Sequence, residues 1–463
     1  MCLVAAGCGT RLNQQQRALY AGRAAGGSTD AGSVAGQPQA IGGTGATGTV
    51  VTSGVNGASS ATATGTGASG TGSTGGGSAT QAGAPIGATA TGKAACAAPS
   101  KEVGVTDTTI TLGNVSQLSG VVPGFAQTAV DGVQAYINYV NSKGGVCGRQ
   151  LKLDVADDGF ESSQNASETQ RLASQVLGFA GSFSVVDDGG VDAMRAAGTL
   201  DTGEATNPAR QFMPNHFGFE PGPDPNKPYA APQWKYLKAK GVGKVALVVV
   251  AVAASRTYAA IQRADLKAAG LQVALDTEVS STQFSFDSTA RAVADSGAQA
   301  MLFIDDLNTS AQMAQALAKV KNSVVYPWYI SGYGPKFINL AGPASEGAVS
   351  FLSALPFEEA GSNAELDTYL SWLKRTAPSD QPDVDSISTW VDTSLFVKAL
   401  AAVDGPITRP ALIASMRKIT SFDANGLISA MDPADKTSPG CAVVVRVTSG
   451  KWRVVAPASG FLC

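Results

Sequence analysis

The chain has 463 residues, more than one ordinary small domain, and its 44% hydrophobic content is enough for a real core. A net charge of −3 and a pI near 5.4 exclude a general electrostatic attraction to nucleic acid or to an anionic membrane surface. No apolar run reaches the roughly 18 residues of a membrane-spanning helix. The longest, "VALVVVAVAA" (Val245 to Ala254), suits a buried parallel strand better.

The first eight residues hold two of the six cysteines, Cys2 and Cys8. From Ala31 to Gly92 there is no Asp, Glu, Lys or Arg, and the stretch is built almost entirely of Gly, Ser, Thr and Ala. Such a chain has too little apolar surface to offset its ordering entropy. Residues 9–98 are therefore expected to form a flexible linker, with an r.m.s. span of about 50 Å by the coil estimate.

After Lys101, strands alternate with helices. "TITLGNV" (Thr109 to Val115) is a predicted strand. Val130, Val133, Tyr136, Ile137 and Val140 then recur at helical spacing up to the paired glycines of "NSKGGVCG". "LKLDVADD" (Leu151 to Asp158) is the next strand. "SETQRLASQVL" (Ser167 to Leu177) reads as a helix whose Ser167 and Gln170 fit a capping box. The rhythm resumes after the turn-rich "PGPDPNKP" (Pro221 to Pro228). The helix "PQWKYLKAKG" precedes the strand "KVALVVVAV", and Tyr258 to Ala269 precedes "LQVALDTEV". Phe286 to Asp295 leads to "AMLFIDD", and Ser310 to Val320 to "VVYPWYIS". Residues 363–418 are mostly helical, ahead of a hairpin turning at Thr448-Ser449-Gly450. Repeated strand–helix–strand units imply α/β architecture with parallel sheets, in two lobes split near residue 228.

Cys441 and Cys463 bracket that hairpin, whose returning strands bring them together, and Cys96 then pairs with Cys147 by elimination. The alternative is four buried thiols. Two disulfides fit an oxidising compartment. No cysteine spacing resembles a metal site.

In open α/β sheets ligands sit beyond the carboxyl ends of the strands. The loops there are "SQLSG" (116–120), "GSFSV" (181–185), "GEATNP" (203–208), "AASR" (253–256), "IDDLN" (304–308) and "SGYG" (331–334). The first three offer hydroxyls and backbone N–H groups. The last three offer Asp305, Asp306 and Tyr333. Catalysis finds little support. The lone histidine, His216, has no motif around it and reads as packed or surface. G-x-S-x-G, Walker-type and HExxH patterns are missing. Asp157-Asp158 and Asp187-Asp188 read as turn and loop solvation.

"LSGVVPGFAQTAVDGVQAYINYVNSKGGVCGRQLKLDVADDG" (118–159) resembles the opening of the branched-chain amino acid (Leu/Ile/Val-type) periplasmic binding proteins of ATP-binding cassette importers. "GEATNP" and the order of later elements agree, so the resemblance spans roughly residues 103–457. It implies a two-lobed type I periplasmic-binding-protein fold with a hinged cleft. Lobe 1 would be 99–228 plus about 354–435, and lobe 2 would be 229–353 plus about 436–463.

By the same resemblance, Ser184 and Thr206 match hydroxyl contacts to a ligand carboxylate. Phe125 matches a flanking aromatic, and Ser119 lies in the same loop. The second lobe departs from the family. An aromatic position is Ala254, beside Ser255, and another is Asp306. The acidic residue that holds an ammonium is Tyr333, although Asp305, Asp306 or Glu204 can replace that charge. Glu204 stands where a small residue is expected, and it would narrow the pocket or repel a carboxylate.

"AAGC" (Ala5 to Cys8) is similar to a lipobox, with Cys8 as the lipid-attachment site and residues 1–8 as a truncated signal remnant. The expected protein is an extracytoplasmic solute-binding lipoprotein, not an enzyme, anchored to the outer face of the cell membrane. It would act as a monomer without cofactor, metal or nucleic acid. It would take a small polar ligand (an amino acid, amide or related compound) and deliver it to an ATP-binding cassette permease. The alternatives are a ligand-sensing receptor on the same fold and, third, an α/β enzyme.

Overall fold

The computed structural model describes residues 95–120, 122–219, 231–436 and 440–463. Cys2, Cys8, the linker as far as residue 94 and the turn at 221–228 lie outside the described residues.

The first sheet is built from β1 (Thr109–Ser116), β2 (Gln150–Asp157), β3 (Phe179–Ala180) and β4 (Asp201–Thr202), ordered β2-β1-β3-β4 and parallel throughout. Helix α1 (Gln127–Ser142) crosses between β1 and β2, burying Val130, Val133, Tyr136, Ile137 and Val140 along one stripe. It stops where Gly144 and Gly145 take φ of +100° and +79°, a region open to glycine, and their N–H groups bond back to Asn141 and Val140 carbonyls.

Helix α2 (Ser162–Ala173) opens five residues before the expected capping box, so Ser167 and Gln170 sit inside it. Buried Asp158 fixes that earlier start. Its carboxylate accepts the Phe160 N–H at 3.0 Å and the Asn165 amide at 2.9 Å, and so ties down the first turn. Helices α3 (Val191–Ala197) and α4 (Pro208–Gln211) complete this half of the chain as far as Phe219.

After α5 (Pro232–Ala239), the second sheet comprises β5 (Lys244–Val250), β6 (Gln272–Val279), β7 (Ala300–Ile304), β8 (Tyr326–Tyr329), β9 (Val349–Leu352), β10 (Val443–Thr448) and β11 (Lys451–Ala456). Its order is β11-β10-β9-β8-β7-β5-β6, parallel from β6 to β9 and antiparallel through the closing hairpin. Every residue of β5 after Lys244 is buried, as expected for a strand covered on both faces. The crossovers are α6 (Ala253–Ala268), α7 (Asp287–Asp295), α8 (Leu307–Leu317) and α9 (Pro335–Ala341). "AASR" is thus the first turn of α6 and not a loop. The small Ala253-Ala254-Ser255 run enters the helix directly, and the Thr257 hydroxyl bonds back to the Ala253 carbonyl.

Helices α10 (Ala364–Thr376), α11 (Val384–Ala401) and α12 (Arg409–Met416) return to pack with α1 in one core around Trp390. Helix α11 is buried almost all round. Its Thr389 hydroxyl donates to the Ala129 carbonyl of α1 at 2.6 Å, because Gly132 lets the two backbones meet.

Both disulfides form as paired from the sequence, Cys96–Cys147 and Cys441–Cys463. Ser449 and Gly450, at φ of +54° and +68°, make the hairpin turn between Thr448 and Lys451. Packed chain begins ahead of the expected linker end at residue 98. Ala95–Ala97 forms a short 3-10 turn with Cys96 buried, because the disulfide holds it and Arg149 donates to the Cys96 and Ala98 carbonyls at 3.2 and 3.0 Å.

A Cβ at position 132 would collide with the Ser386 carbonyl, which is backbone and cannot swing away. Gly132→Ala is therefore expected to destabilise by about 1–3 kcal/mol, although alanine gains up to about 1 kcal/mol in helix propensity. Urea unfolding followed by circular dichroism would read the change.

Candidate functional site

Between the strand ends of the two sheets lies a cavity of about 380 Å³. One wall comes from the first half of the chain. Phe125 and Phe183 stack there with ring centroids 5.2 Å apart, beside Glu204, Ala205 and Thr206. The opposite wall carries the first turns of α6 with Ser255 and Tyr258, then Ile304, Trp328, Ile330 and Tyr333. The floor is the chain passing between the halves, Ser350 to Leu355 and Gly440 to Ala442, joined by Phe357 and the first turns of α11 with Asp385 and Ser388. The surface is mostly apolar with a few polar groups, the usual make-up of a small-molecule site. Among the described residues, no Lys, Arg or His lines it, and no His, Cys, Asp and Glu cluster is arranged to hold a metal ion.

Of the residues singled out in the sequence, Phe125, Glu204, Thr206, Ser255 and Tyr333 meet in this lining; Ser119, Ser184, Asp305 and Asp306 do not. Each of the four is occupied elsewhere. Asp157 collects the N–H groups of Leu118, Ser119 and Gly159 at 2.9–3.0 Å. Burial pushes its carboxyl up, but those bonds and the Ser119 side chain outweigh it and hold the carboxyl below its usual range. Ser184 is wholly buried, and its Oγ accepts the Val186 N–H at 3.1 Å. Asp306 caps α8, accepting from Asn308 and Thr309 N–H groups. The Asp305 carbonyl accepts the Ser331 hydroxyl at 2.7 Å. Tyr333 is itself held, donating to Glu358 Oε2 at 2.7 Å and accepting the Phe357 N–H at 2.8 Å. Burial, with Glu358 alongside, drives its phenol well above the usual value.

Sequence patterns gave no hint of Trp328, Phe351, Asp385 or Gly440 to Ala442. The last three belong to segments that return to the cleft after long excursions, and local patterning carries no signal for that.

Behind the Glu204–Thr206 loop sits Arg210, only 1% exposed. It grips Asp201 bidentately, with Nε and Nη2 each 2.9 Å from a carboxylate oxygen. Its Nη1 reaches the Glu204 carbonyl at 2.8 Å, the Ser182 carbonyl at 3.3 Å and Asp187 at 3.4 Å. Asp187 in turn accepts the Thr206 N–H at 2.8 Å and the Asn207 amide. His216 is buried as well, its Nδ1 2.8 Å from Asp201 Oδ2. Burial works against every charge here. For Asp201 the close Arg210 outweighs it and holds the carboxyl far below its usual range, whereas Asp187, farther from the guanidinium, is left raised. Burial also lowers the imidazole of His216. The Asp158 and Asp187 carboxylates are thus buried ligands of the chain and not solvated loop residues.

A family profile described as periplasmic binding protein matches residues 109–451. The chain belongs to that family. Its fold is shared with the branched-chain amino acid substrate-binding protein LivJ of Streptococcus pneumoniae in complex with isoleucine. That pair is 17% identical with a TM-score of 0.62, covering 76% of this chain and all of that one. It is shared equally with a fatty acid transporter substrate-binding protein of Thermomonospora curvata, 19% identical with a TM-score of 0.63, over 77% and 94% of the two chains. In sequence the protein is similar to the Leu/Ile/Val-binding protein BraC3 of Rhizobium johnstonii, 30% identical over 70 residues. That alignment spans 15% of this chain and 19% of the relative. The two-lobed type I fold with its cleft is therefore that of periplasmic binding proteins, a family of solute-binding proteins.

Replacing Arg210 with Met would leave Asp201 with the His216 ring, and Asp187 with the Thr206 N–H and the Asn207 amide, but take the guanidinium away from both buried carboxylates. The expected cost at pH 7 is about 3–5 kcal/mol. In the native protein Asp201 is held low, so its contribution is present above the unfolded carboxylate value of about 3.9 and lost as pH falls. In the variant both carboxyls titrate upward and become neutral in mild acid. The stability gap between the two proteins should therefore shrink from pH 7 to pH 4 in denaturant unfolding.

Proposed function

We propose that the protein is an extracytoplasmic binding lipoprotein that closes its two lobes on a small polar molecule and delivers it to an ATP-binding cassette permease. The observation that carries the reading is the cavity, whose lining is shared between the strand-end loops of both sheets and the segments that cross between them. Such a site is complete only when the halves approach, so an occupant favours the closed state and no bond need be made or broken. LivJ of the same fold was solved with isoleucine, and that supports a ligand of amino-acid size. The lobes are assigned as 99–228 with about 354–435 and 229–353 with about 436–463. Cys8, in "AAGC", is proposed as the lipid anchor, with the charge-free stretch from Ala31 to Gly92 as the tether. Cys8→Ser is expected to move the protein from the membrane fraction to the soluble one.

The test is thermal unfolding of the full chain against amino acids, amides, short carboxylates, polyamines and sugars. A true ligand at 100 times its Kd adds about 2.7 kcal/mol to stability. One chemical class should raise the Tm, and Phe125→Ala should abolish most of that shift. No shift with any class would overturn the reading.

A further inference from the structure

The lining says more about its occupant than its size, an inference that rests on the solute-binding reading above. We propose that the cavity takes a solute built on an aromatic ring that carries hydrogen-bonding substituents.

Among the described residues, seven of the 36 that line the cavity are Phe, Tyr or Trp, against 7% aromatic residues in the whole chain. Six of the seven form three ring pairs. Phe125 stacks on Phe183 in the first wall, with centroids 5.2 Å and planes 29° apart. Phe351 of the floor meets Trp328 of the opposite wall at 4.8 Å, nearer edge to face at 62°. Phe357, also of the floor, meets Tyr333 of that wall at 5.0 Å and 32°.

Each pair has the same build. The rear ring is buried, with Phe183, Trp328 and Tyr333 only 6%, 3% and 4% exposed. The front ring, Phe125, Phe351 or Phe357, keeps part of its surface open. Contact with the rear ring fixes how the front one stands. Tyr333 is pinned further through its hydroxyl by Glu358 and the Phe357 N–H, and Phe351 also meets Tyr236 at 6.1 Å and 74°. Rings held in this way have little freedom left to lose when a guest arrives.

An alkyl group entering such a space gains only the area that it buries. An aromatic ring adds the attraction between its quadrupole and those of the walls, stacked or edge to face, which amounts to about two- to tenfold in affinity for each well-placed ring contact. Polar substituents have partners in the same lining. Ser255 lies on α6, Ser388 on α11, and Ser350 and Ser353 in the floor, and a hydroxyl can donate or accept as the substituent requires.

The experiment uses the full chain at pH 7 and calorimetric titration with four pairs of compounds that differ only in saturation of the ring. They are phenylalanine and cyclohexylalanine, benzamide and cyclohexanecarboxamide, benzoate and cyclohexanecarboxylate, and benzylamine and cyclohexylmethylamine. The saturated member of each pair is the larger and more apolar, so burial alone favours it. In at least one pair the aromatic member should instead bind about tenfold or more tightly. Phe125→Leu and Phe351→Leu, each checked for folding by its unliganded Tm, should each cut that preference about two- to tenfold; Phe357→Leu takes the place of either variant that does not fold. The proposal is overturned if no pair that binds shows the preference, or if the folded leucine variants leave it unchanged. Silence of all these compounds with binding elsewhere in the wider panel also overturns it, while the solute-binding reading stands. A wild-type chain that answers to none of them, nor to the panel, removes both.

Discussion

A guanidinium that water does not reach holds the first half of the site in shape. Arg210 lies on α4, directly after the loop it organises, and its guanidinium makes five contacts, to Asp201 twice, to Asp187 and to the carbonyls of Glu204 and Ser182. Burying one cation with two carboxylates is costly unless every donor is met, and here the meeting points are the backbone of the loops that wall the cavity. Asp201 opens a two-residue strand, too short to be rigid through its own ladder. The ionic cluster substitutes for the missing length of sheet. It also decides which way Thr206 faces, because Asp187, the other carboxylate of the cluster, takes the Thr206 N–H.

Much of the architecture was legible in the sequence because it depends on periodicity and punctuation. The all-apolar β5, the helical stripe of α1 ended by two glycines, and the hairpin turning at Ser449-Gly450 are local signals with local causes. Pairing the cysteines needed only the insight that a hairpin returns to its start. Helix starts were less legible. The Ser167–Gln170 pattern has the right residues for a cap, yet Asp158 set the start of α2 earlier through bonds to Phe160 and Asn165. "AASR" looked like loop because it follows a strand, and nothing in four small or polar residues marks them as helix.

The site was legible as a set of loops and not as a set of side-chain directions. Phe125, Glu204, Thr206, Ser255 and Tyr333 do converge. Ser119 and Asp306 lie in the expected loops but are engaged within the chain, one bonded to the Asp157 carboxylate and the other capping α8. Short polar side chains at strand ends have two competing uses, and only the surrounding bonds reveal which has won. Asp385 and Gly440 to Ala442 entered the site from distant parts of the chain, where no spacing rule reaches.

The floor of the cavity is made of the strands of chain that pass from one half to the other. Leu352 ends β9, yet two residues later Ala354 is already bridged to Ile428 in the other half, and Ala442, also in the floor, is bridged to Leu462 beside the terminal disulfide. Whatever rests in the cavity therefore rests on the axle about which the halves would turn. If the lobes close as proposed, a bulky occupant would wedge the joint and a slender one would let it fold further, so guest thickness would be converted into an angle between the outer faces. A membrane partner that touches only those faces would thus gauge the cargo without ever contacting it.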